Sequence, residues 1–181
     1  MPRKVRRAAF HHGDTKRAAI EAALALLTKG GREALTLRTV AERIGVNHRA
    51  LYRHFASLEA LKVEVAALGF GRLADALEKA PPGQPRALVR AYATFAFAGP
   101  HLYDLMFSLP LRDWYATADG LGPAMRRVIA ASVKAAGGAT RAEGQVFRLW
   151  GLAHGLIGLY RSGTWRARSD RQAVEFIASL A

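Results

Sequence analysis

Cysteine is absent from this sequence of 181 residues, which excludes disulfide bonds, thiolate metal sites and cysteine nucleophiles together. Long hydrophobic runs are missing as well. The longest apolar stretch, residues 149–160, is interrupted by His154 and is shorter than the roughly 20 residues that cross a bilayer. The basic N-terminus lacks the apolar segment of a secretion signal. We therefore expect a soluble, cytoplasmic protein without a membrane partner.

Acidic residues are scarce relative to basic ones. The chain has 14 Asp and Glu against 27 Lys and Arg, which gives a formal net charge of +13. Basic residues are concentrated in residues 1–60, where 12 Lys and Arg oppose 5 Asp and Glu. Such a surface attracts polyanions through counterion release, and nucleic acid is the commonest polyanion. A basic surface without a partner would have the same composition, so a motif is needed to decide.

The spacing of apolar residues is helical along the whole chain, and no segment alternates like a half-buried strand. The sequence therefore predicts an all-α fold. Capping residues predict where the first four helices begin: Asp14, Thr36, Asn47 and Ser57. Glycines at 30 and 31 should end the first helix, and Gly45 should make a turn with positive φ between the second and third.

The segment APPGQPR, residues 80–86, cannot continue a helix because it contains three prolines and a glycine. It follows a connecting helix that we expect at 57–80. Further helices are predicted at 86–98, 101–108, 121–136, 141–161 and 170–180. We therefore divide the chain into a small domain of three helices at 1–56 and a larger helical domain at 57–181, which begins with the connecting helix.

The stretch GVNHRALYRHF, residues 45–55, is the most informative motif in the sequence. A glycine turn between two short helices in a basic region is typical of a helix-turn-helix. Ala50 and Leu51 point away from a polar face on the third helix. That face comprises His48, Arg49, Tyr52 and Arg53. Residues at the start of such a helix usually reach base edges, so Asn47, His48 and Arg49 are the predicted base readers. Tyr52 and Arg53 are better placed for phosphates.

The histidines suggest a metal site as an alternative, but their spacing argues against it. His48 and His54 are six residues apart and lie on different faces of one helix, while His11 and His12 are adjacent and have no second pair nearby. No nucleophile elbow or phosphate-binding glycine loop is present. We expect no metal, no cofactor and no enzymatic activity.

The segment TLRTVAERIGVNHRALYRHFASLEAL, residues 36–61, resembles the DNA-binding domain of the TetR family of transcriptional repressors. The resemblance implies that Thr36, Arg38 and Tyr52 contact phosphates and that the start of the third helix reads bases. Leu58 occupies a position where the family often has a phosphate-contacting lysine. The complete predicted DNA-binding set is Thr36, Arg38, Asn47, His48, Arg49, Tyr52, Arg53 and His54.

Large aromatic residues are concentrated at 92–115, where they build a core or line an apolar cavity. The segment YATFAFAGPHLYDLMF, with Trp150 and His154-Gly155 further on, is similar to the WHG type of TetR C-terminal domain. We therefore predict a ligand pocket. Its lining residues are Phe95, Tyr103, Met106, Phe107, Trp114, Trp150 and His154. His154 either contacts the ligand or, as we favour, satisfies a buried partner.

The helix VFRLWGLAHGLIGLY is apolar on nearly every side. It carries one leucine stripe, one glycine stripe and a third stripe of Val146, Trp150, His154 and Ile157. Two apolar faces suit either a homodimer or the central helix of a monomeric bundle, and we favour the homodimer. The predicted interface is Leu149, Gly151, Leu152, Gly155, Leu156, Gly158, Leu159 and Phe176.

The sequence as a whole predicts a repressor that binds a palindromic operator in double-stranded DNA as a dimer and responds to a small-molecule effector. We expect effector binding to change the dimer geometry through the connecting helix. A sequence-tolerant architectural DNA-binding protein is the alternative. The two differ in a footprint, since a repressor protects a palindrome and an architectural protein coats DNA uniformly.

Overall fold

The computed structural model describes residues 12–115, 118–138 and 142–181. Helices α1 to α9 and two short 3-10 helices form this part of the chain, which contains no strand, so the predicted all-α fold is confirmed. The α-helices are His12–Gly30, Leu37–Ile44, His48–Leu51, Leu58–Leu77, Pro85–Ala98, Pro100–Ser108, Leu121–Ala135, Ala142–Arg161 and Asp170–Ser179. No helix among the described residues is both long enough and apolar enough to span a membrane.

The chain forms two compact units, which divide between Val65 and Ala66 inside α4. The sequence predicts a domain boundary between residues 56 and 57, just before α4 begins at Leu58. The first turns of α4 thus lie in the N-terminal unit, and their residues Leu61, Val63 and Val65 are buried. Lys16 of α1 also forms an ion pair of 2.8 Å with Glu64 of α4.

Helix boundaries in the N-terminal unit follow the predicted caps with one correction. Asp14 is not the N-cap of α1, because α1 already includes His12. His11 and the basic residues before it lie outside the described residues.

The C-terminal unit is arranged around α5, which contacts α6, α7, α8 and α9. Pro85 and Pro100 are the first residues of α5 and α6, a position where a missing N–H costs no hydrogen bond. The five predicted helices are present with ends shifted by at most one residue. The connecting helix is shorter than predicted and ends at Leu77, because residues 78–80 form a turn before the prolines.

Two 3-10 helices, Arg32–Ala34 and Leu111–Trp114, were not predicted, since segments of three or four residues carry too little periodicity to recognise.

Bidentate ion pairs join helices of the C-terminal unit. Arg90 of α5 donates to Glu175 of α9 at 2.7 and 2.8 Å. Arg161 of α8 pairs with both carboxylate oxygens of Asp104 on α6.

Candidate functional site

The turn between α2 and α3 has the conformation that its glycine predicts. Gly45 adopts φ 73 and ψ 28, a left-handed conformation that side chains with a Cβ rarely adopt. The Gly45 N–H donates to the Glu42 carbonyl at 3.2 Å, and the Val46 N–H donates to the Ala41 carbonyl at 3.0 Å. These bonds satisfy carbonyls left open at the end of α2 and fix the direction in which α3 starts.

Both helices are capped by the residues that the sequence indicates. The Thr36 hydroxyl accepts from the Thr39 N–H at 3.0 Å, and the Thr39 hydroxyl accepts in return from the Thr36 N–H at 3.1 Å. Asn47 Oδ1 accepts from the Arg49 N–H at 2.9 Å. The side chains of Thr36 and Asn47 thus stabilise helix starts in addition to their predicted role at DNA.

The apolar side of α3 is buried and anchors the helix. Leu51 and Phe55 are 0% and 1% exposed, while Tyr52 is 56% exposed. His48, Arg49 and Arg53 are also exposed. The predicted division into a packed side and a polar face is therefore present. The polar face exposes His48, Arg49, Tyr52 and Arg53 to solvent.

Helix α3 is shorter than the sequence suggests. It ends at Leu51, so Tyr52, Arg53 and His54 lie in the turns that follow it. Tyr52 keeps helical dihedral angles, φ −64 and ψ −15, and therefore extends the same face by one residue. His54 is half-buried, with its ring centroid 6.4 Å from that of Phe55.

Helix α2 adds a charged pair to this surface. Arg38 and Glu42, one turn apart on its exposed side, form an ion pair in which Arg38 Nε donates to Glu42 Oε1 at 2.9 Å. This bond raises the pKa of Arg38. Leu58, at the position where the TetR family often has a lysine, is half-buried at the start of α4. We call the eight predicted DNA-binding residues the α2–α3 face.

In the C-terminal unit, three of the seven predicted pocket residues lie together. The ring centroid of Phe107 is 4.8 Å from that of Tyr103 and 4.9 Å from that of His154. The Tyr103 hydroxyl lies 2.6 Å from His154 Nδ1 and 3.3 Å from the Tyr92 hydroxyl. Tyr92 is missing from the predicted pocket, although its place in the aromatic segment is the signal that could have indicated it.

Burial controls the protonation of this cluster. It raises the pKa of Tyr92 to about 12 and holds the pKa of Tyr103 well above its ordinary value. His154 is exposed as a residue, but the part of its ring that lies against Tyr103 and Phe107 is desolvated, which lowers the pKa of His154. All three side chains are therefore neutral near pH 7 and interact through hydrogen bonds.

The other predicted pocket residues lie in different surroundings. Met106 is fully buried, and its Sδ lies 2.6 Å from the point where a Cβ would be built on Gly69. The Trp150 indole donates to the Ser132 hydroxyl at 3.1 Å and its ring contacts Phe147. Phe95 and Trp114 are half-buried. Nothing in the sequence indicates that Ser132 is the hydrogen-bond partner of Trp150.

The outward side of α8 is rich in glycine and apolar side chains. A Cβ added at Gly144, Gly151, Gly155 or Gly158 would meet no atom within 4 Å, so these glycines face open space. Phe147 and Leu159 are 62% and 45% exposed beside them. We call this side, from Gly144 to Leu159, the α8 face.

The three predicted stripes of α8 need a correction. Leu149 is buried, Leu152 and Leu156 are half-buried and Leu159 is exposed, so the leucine stripe passes from core to surface along the helix. Val146 and Ile157 are buried whereas His154 is exposed, so these residues do not share one face. Positions separated by eight residues, such as 146 and 154, or by ten, such as 149 and 159, drift by roughly 80° around a helix of 3.6 residues per turn.

Comparison with known proteins adds two domain matches. Residues 19–65 match the family model described as "Bacterial regulatory proteins, tetR family", and residues 86–179 match "Tetracyclin repressor-like, C-terminal domain". The N-terminal match contains the α2–α3 face, and the C-terminal match contains the aromatic cluster and α8. The resemblance to the WHG type stays a prediction.

Two curated proteins are similar over part of their length. The HTH-type transcriptional repressor KstR of Rhodococcus jostii is 46% identical over 65 residues, which are 36% of this chain and 30% of KstR. The uncharacterised HTH-type transcriptional regulator YobS of Bacillus subtilis is 27% identical over 97 residues, which are 51% of each protein. The matches thus span about half or less of these relatives.

Solved structures match over nearly the whole chain. A protein of unknown function from Rhodococcus sp. RHA1 has a TM-score of 0.71 and 28% identity, with 96% of each chain covered. A TetR transcriptional regulator from the same source has a TM-score of 0.63 and 21% identity, with 94% of this chain and 97% of that chain covered. The second match supports the fold alone.

Proposed function

The chain belongs to the TetR family of bacterial regulatory proteins, and on this premise we propose that it is a dimeric repressor that binds a palindromic operator and responds to a small-molecule effector. The observation that carries the proposal is the exposed polar side of α3, anchored from behind by Leu51 and Phe55. The name of KstR, a transcriptional repressor, supports repression rather than activation. Binding to bacterial DNA implies a cytoplasmic location.

Three residues at the start of α3 are the proposed base readers. Arg49 suits guanine, because a guanidinium can donate two parallel hydrogen bonds to O6 and N7 in the major groove. His48 is exposed beside it and can donate to or accept from a base edge. Asn47 already accepts the Arg49 N–H through Oδ1, so its amide N–H₂ is the group that we assign to DNA.

The remaining residues of the α2–α3 face are proposed to bind the DNA backbone. Arg38 and Arg53 are exposed cations, and Tyr52 presents a phenolic hydroxyl to solvent. Thr36 is exposed just before α2, and His54, two residues after Tyr52, is half-buried. Contacts of this kind position a protein on DNA and make its affinity depend strongly on salt.

The proposed dimer forms through the α8 face together with Phe176 of α9. Four glycines without neighbours allow a second helix to approach closely, and Phe147, Leu159 and Phe176 supply exposed apolar area. Leu149 and Leu152 also line a surface hollow of about 380 Å³ with Leu180. A dimer bound to a palindromic operator would place its two α3 helices in successive major grooves, about 34 Å apart.

The proposed effector site is the cluster of Tyr103, Phe107 and His154. Of the other predicted pocket residues, Trp150 contacts Ser132 and Phe147 instead, so the proposal is confined to the three clustered side chains. Aromatic rings beside two neutral polar groups suit a mainly apolar molecule with one hydrogen-bonding function. The effector acts on DNA binding only if it prefers one of two conformations of the dimer.

Selection of sequences from random DNA by the purified protein, followed by a footprint, tests this function. We expect the selected sequences to share an inverted repeat and the footprint to protect it as two half-sites. Uniform, salt-sensitive coating of any DNA would instead identify an architectural protein, and the absence of DNA binding would overturn the proposal altogether. Derepression of a reporter on deletion of the gene would establish the direction of regulation.

A further inference from the structure

We propose that Glu42 is a positioning residue that withholds Arg38 from DNA phosphates and thereby limits the affinity of this protein for the DNA backbone. The inference rests on the proposed DNA-binding function and concerns a residue outside the predicted DNA-binding set. Its basis is the ion pair on the exposed side of α2, in which Arg38 Nε donates to Glu42 Oε1 at 2.9 Å.

The geometry of α2 places Glu42 directly beside the α2–α3 face, to which Arg38 belongs. Leu37, Val40 and Ala41 are buried on the opposite side, and the side chains of Arg38 and Glu42 are 83% and 62% exposed. The reciprocal Thr36–Thr39 cap fixes the first turn of the helix. The two side chains therefore project from a rigid element, and wherever Arg38 approaches a phosphate, the Glu42 carboxylate approaches it as well.

A carboxylate and a phosphate compete for the same guanidinium. An exposed ion pair is weak, so a phosphate can displace Glu42, but the displaced carboxylate then remains close to the polyanion and repels it. Non-operator binding consists almost wholly of phosphate contacts. Glu42 should therefore keep binding to arbitrary DNA weak, so that base contacts by α3 provide a larger share of operator affinity.

Salt titration of the Glu42→Gln variant measures this effect directly. The variant keeps the length of the side chain and removes its charge, which releases Arg38 for one more phosphate contact. Full-length protein is titrated onto a short duplex of random sequence between about 50 and about 200 mM salt. We expect roughly 3- to 10-fold tighter binding at the lower salt and a slope of log K against log salt that is steeper by about 0.9.

A double-mutant cycle with Arg38→Gln shows whether Glu42 acts through Arg38. If it does, the gain from Glu42→Gln disappears when Arg38 is also replaced. Glu21→Gln is the matched control, since Glu21 is an exposed glutamate on α1 and its replacement changes the net charge equally. The control should leave the salt slope unchanged.

Three outcomes would overturn the inference. An unchanged slope in Glu42→Gln means that no phosphate contact is withheld, and an equal gain in the Arg38→Gln background means that Glu42 acts by general repulsion. Weaker binding in Glu42→Gln means that Glu42 instead orients Arg38 towards phosphate. All three presuppose that the unmodified protein binds DNA, so a failure of the proposed function is recognised separately by the absence of binding.

Discussion

Tyr103 on α6 and His154 on α8 are joined by a hydrogen bond of 2.6 Å between the tyrosine hydroxyl and the imidazole Nδ1. Tyr103 is 3% exposed, whereas His154 is exposed at the surface of the C-terminal unit. The bond therefore connects the interior of the proposed effector site to the α8 face. A change at either residue should affect both regions.

Replacement of Tyr103 by Phe removes this bond and leaves the Tyr92 hydroxyl without its partner at 3.3 Å. We expect the free energy of unfolding to fall by about 1 to 2 kcal/mol, the usual cost of losing buried hydrogen bonds. Denaturant titration followed by circular dichroism measures the change. Tyr115→Phe is the control, since Tyr115 is 45% exposed and should change stability little. Equal stability of the two variants would show that the Tyr103 bonds contribute nothing.

His154 should make stability depend on pH. Partial desolvation of the imidazole lowers the pKa of His154 in the folded chain below its ordinary value of 6.5, so below that pH the unfolded chain binds more protons at this residue. The contribution of His154 to stability is therefore complete above about pH 6.5 and declines as the pH falls towards the lower, folded pKa. Unfolding free energies of the unmodified protein and His154→Gln, compared at pH 7.5 and 5.5, should show a shallower decline in the variant. A decline of equal size would contradict the assignment to His154.

Gly45 should be intolerant of a side chain for a conformational reason alone. A Cβ there would meet no atom within 4 Å, but φ 73 is unfavourable for alanine. We expect Gly45→Ala to cost about 1 to 2 kcal/mol and to weaken DNA binding by disturbing the start of α3. Gly71→Ala is the matched control, because Gly71 also has open space around it but lies in a helix, where alanine is the better residue. Thermal denaturation should shift in opposite directions for the two variants.

The α8 face offers a test of dimerisation that leaves the fold of one chain intact. Gly155→Arg places a long charged side chain where nothing lies within 4 Å, so the single chain should accommodate it. In the proposed dimer the same side chain would block the approach of the second helix. We expect light scattering to give the mass of a dimer for the unmodified protein and of one chain for the variant, with unchanged circular dichroism. A variant that remains dimeric would place the interface elsewhere.

The sequence predicts the helices and their caps well because these depend on local interactions. Thr36, Asn47 and Gly45 act at the positions where their side-chain chemistry requires them to act. The end of α3 at Leu51 is not predicted, because residues 52–54 keep the order of exposed and buried positions that a helix has, although Arg53 and His54 donate to carbonyls three residues back, those of Ala50 and Leu51. Periodicity alone cannot distinguish these conformations.

Contacts between distant residues account for what the sequence did not predict. The pairing of Arg161 with Asp104 and of Trp150 with Ser132 depends on which helices become neighbours. Composition identified an aromatic segment but could not indicate that Tyr103 meets His154, 51 residues away, while Trp150 turns to α7. The predicted stripes of α8 failed for a different reason, since residues eight or ten positions apart do not stay on one side of a helix.

The central claim is that the α2–α3 face reads operator DNA, and selection from random DNA with three proteins tests it most directly. The unmodified protein should select an inverted repeat. Arg49→Ala should bind that operator about 1 to 3 kcal/mol more weakly and accept several bases at one position of each half-site, because it loses a base contact. Tyr52→Phe should bind more weakly but keep the selected sequence, because it loses a phosphate contact. Unchanged affinity and unchanged base preference in both variants would contradict the account.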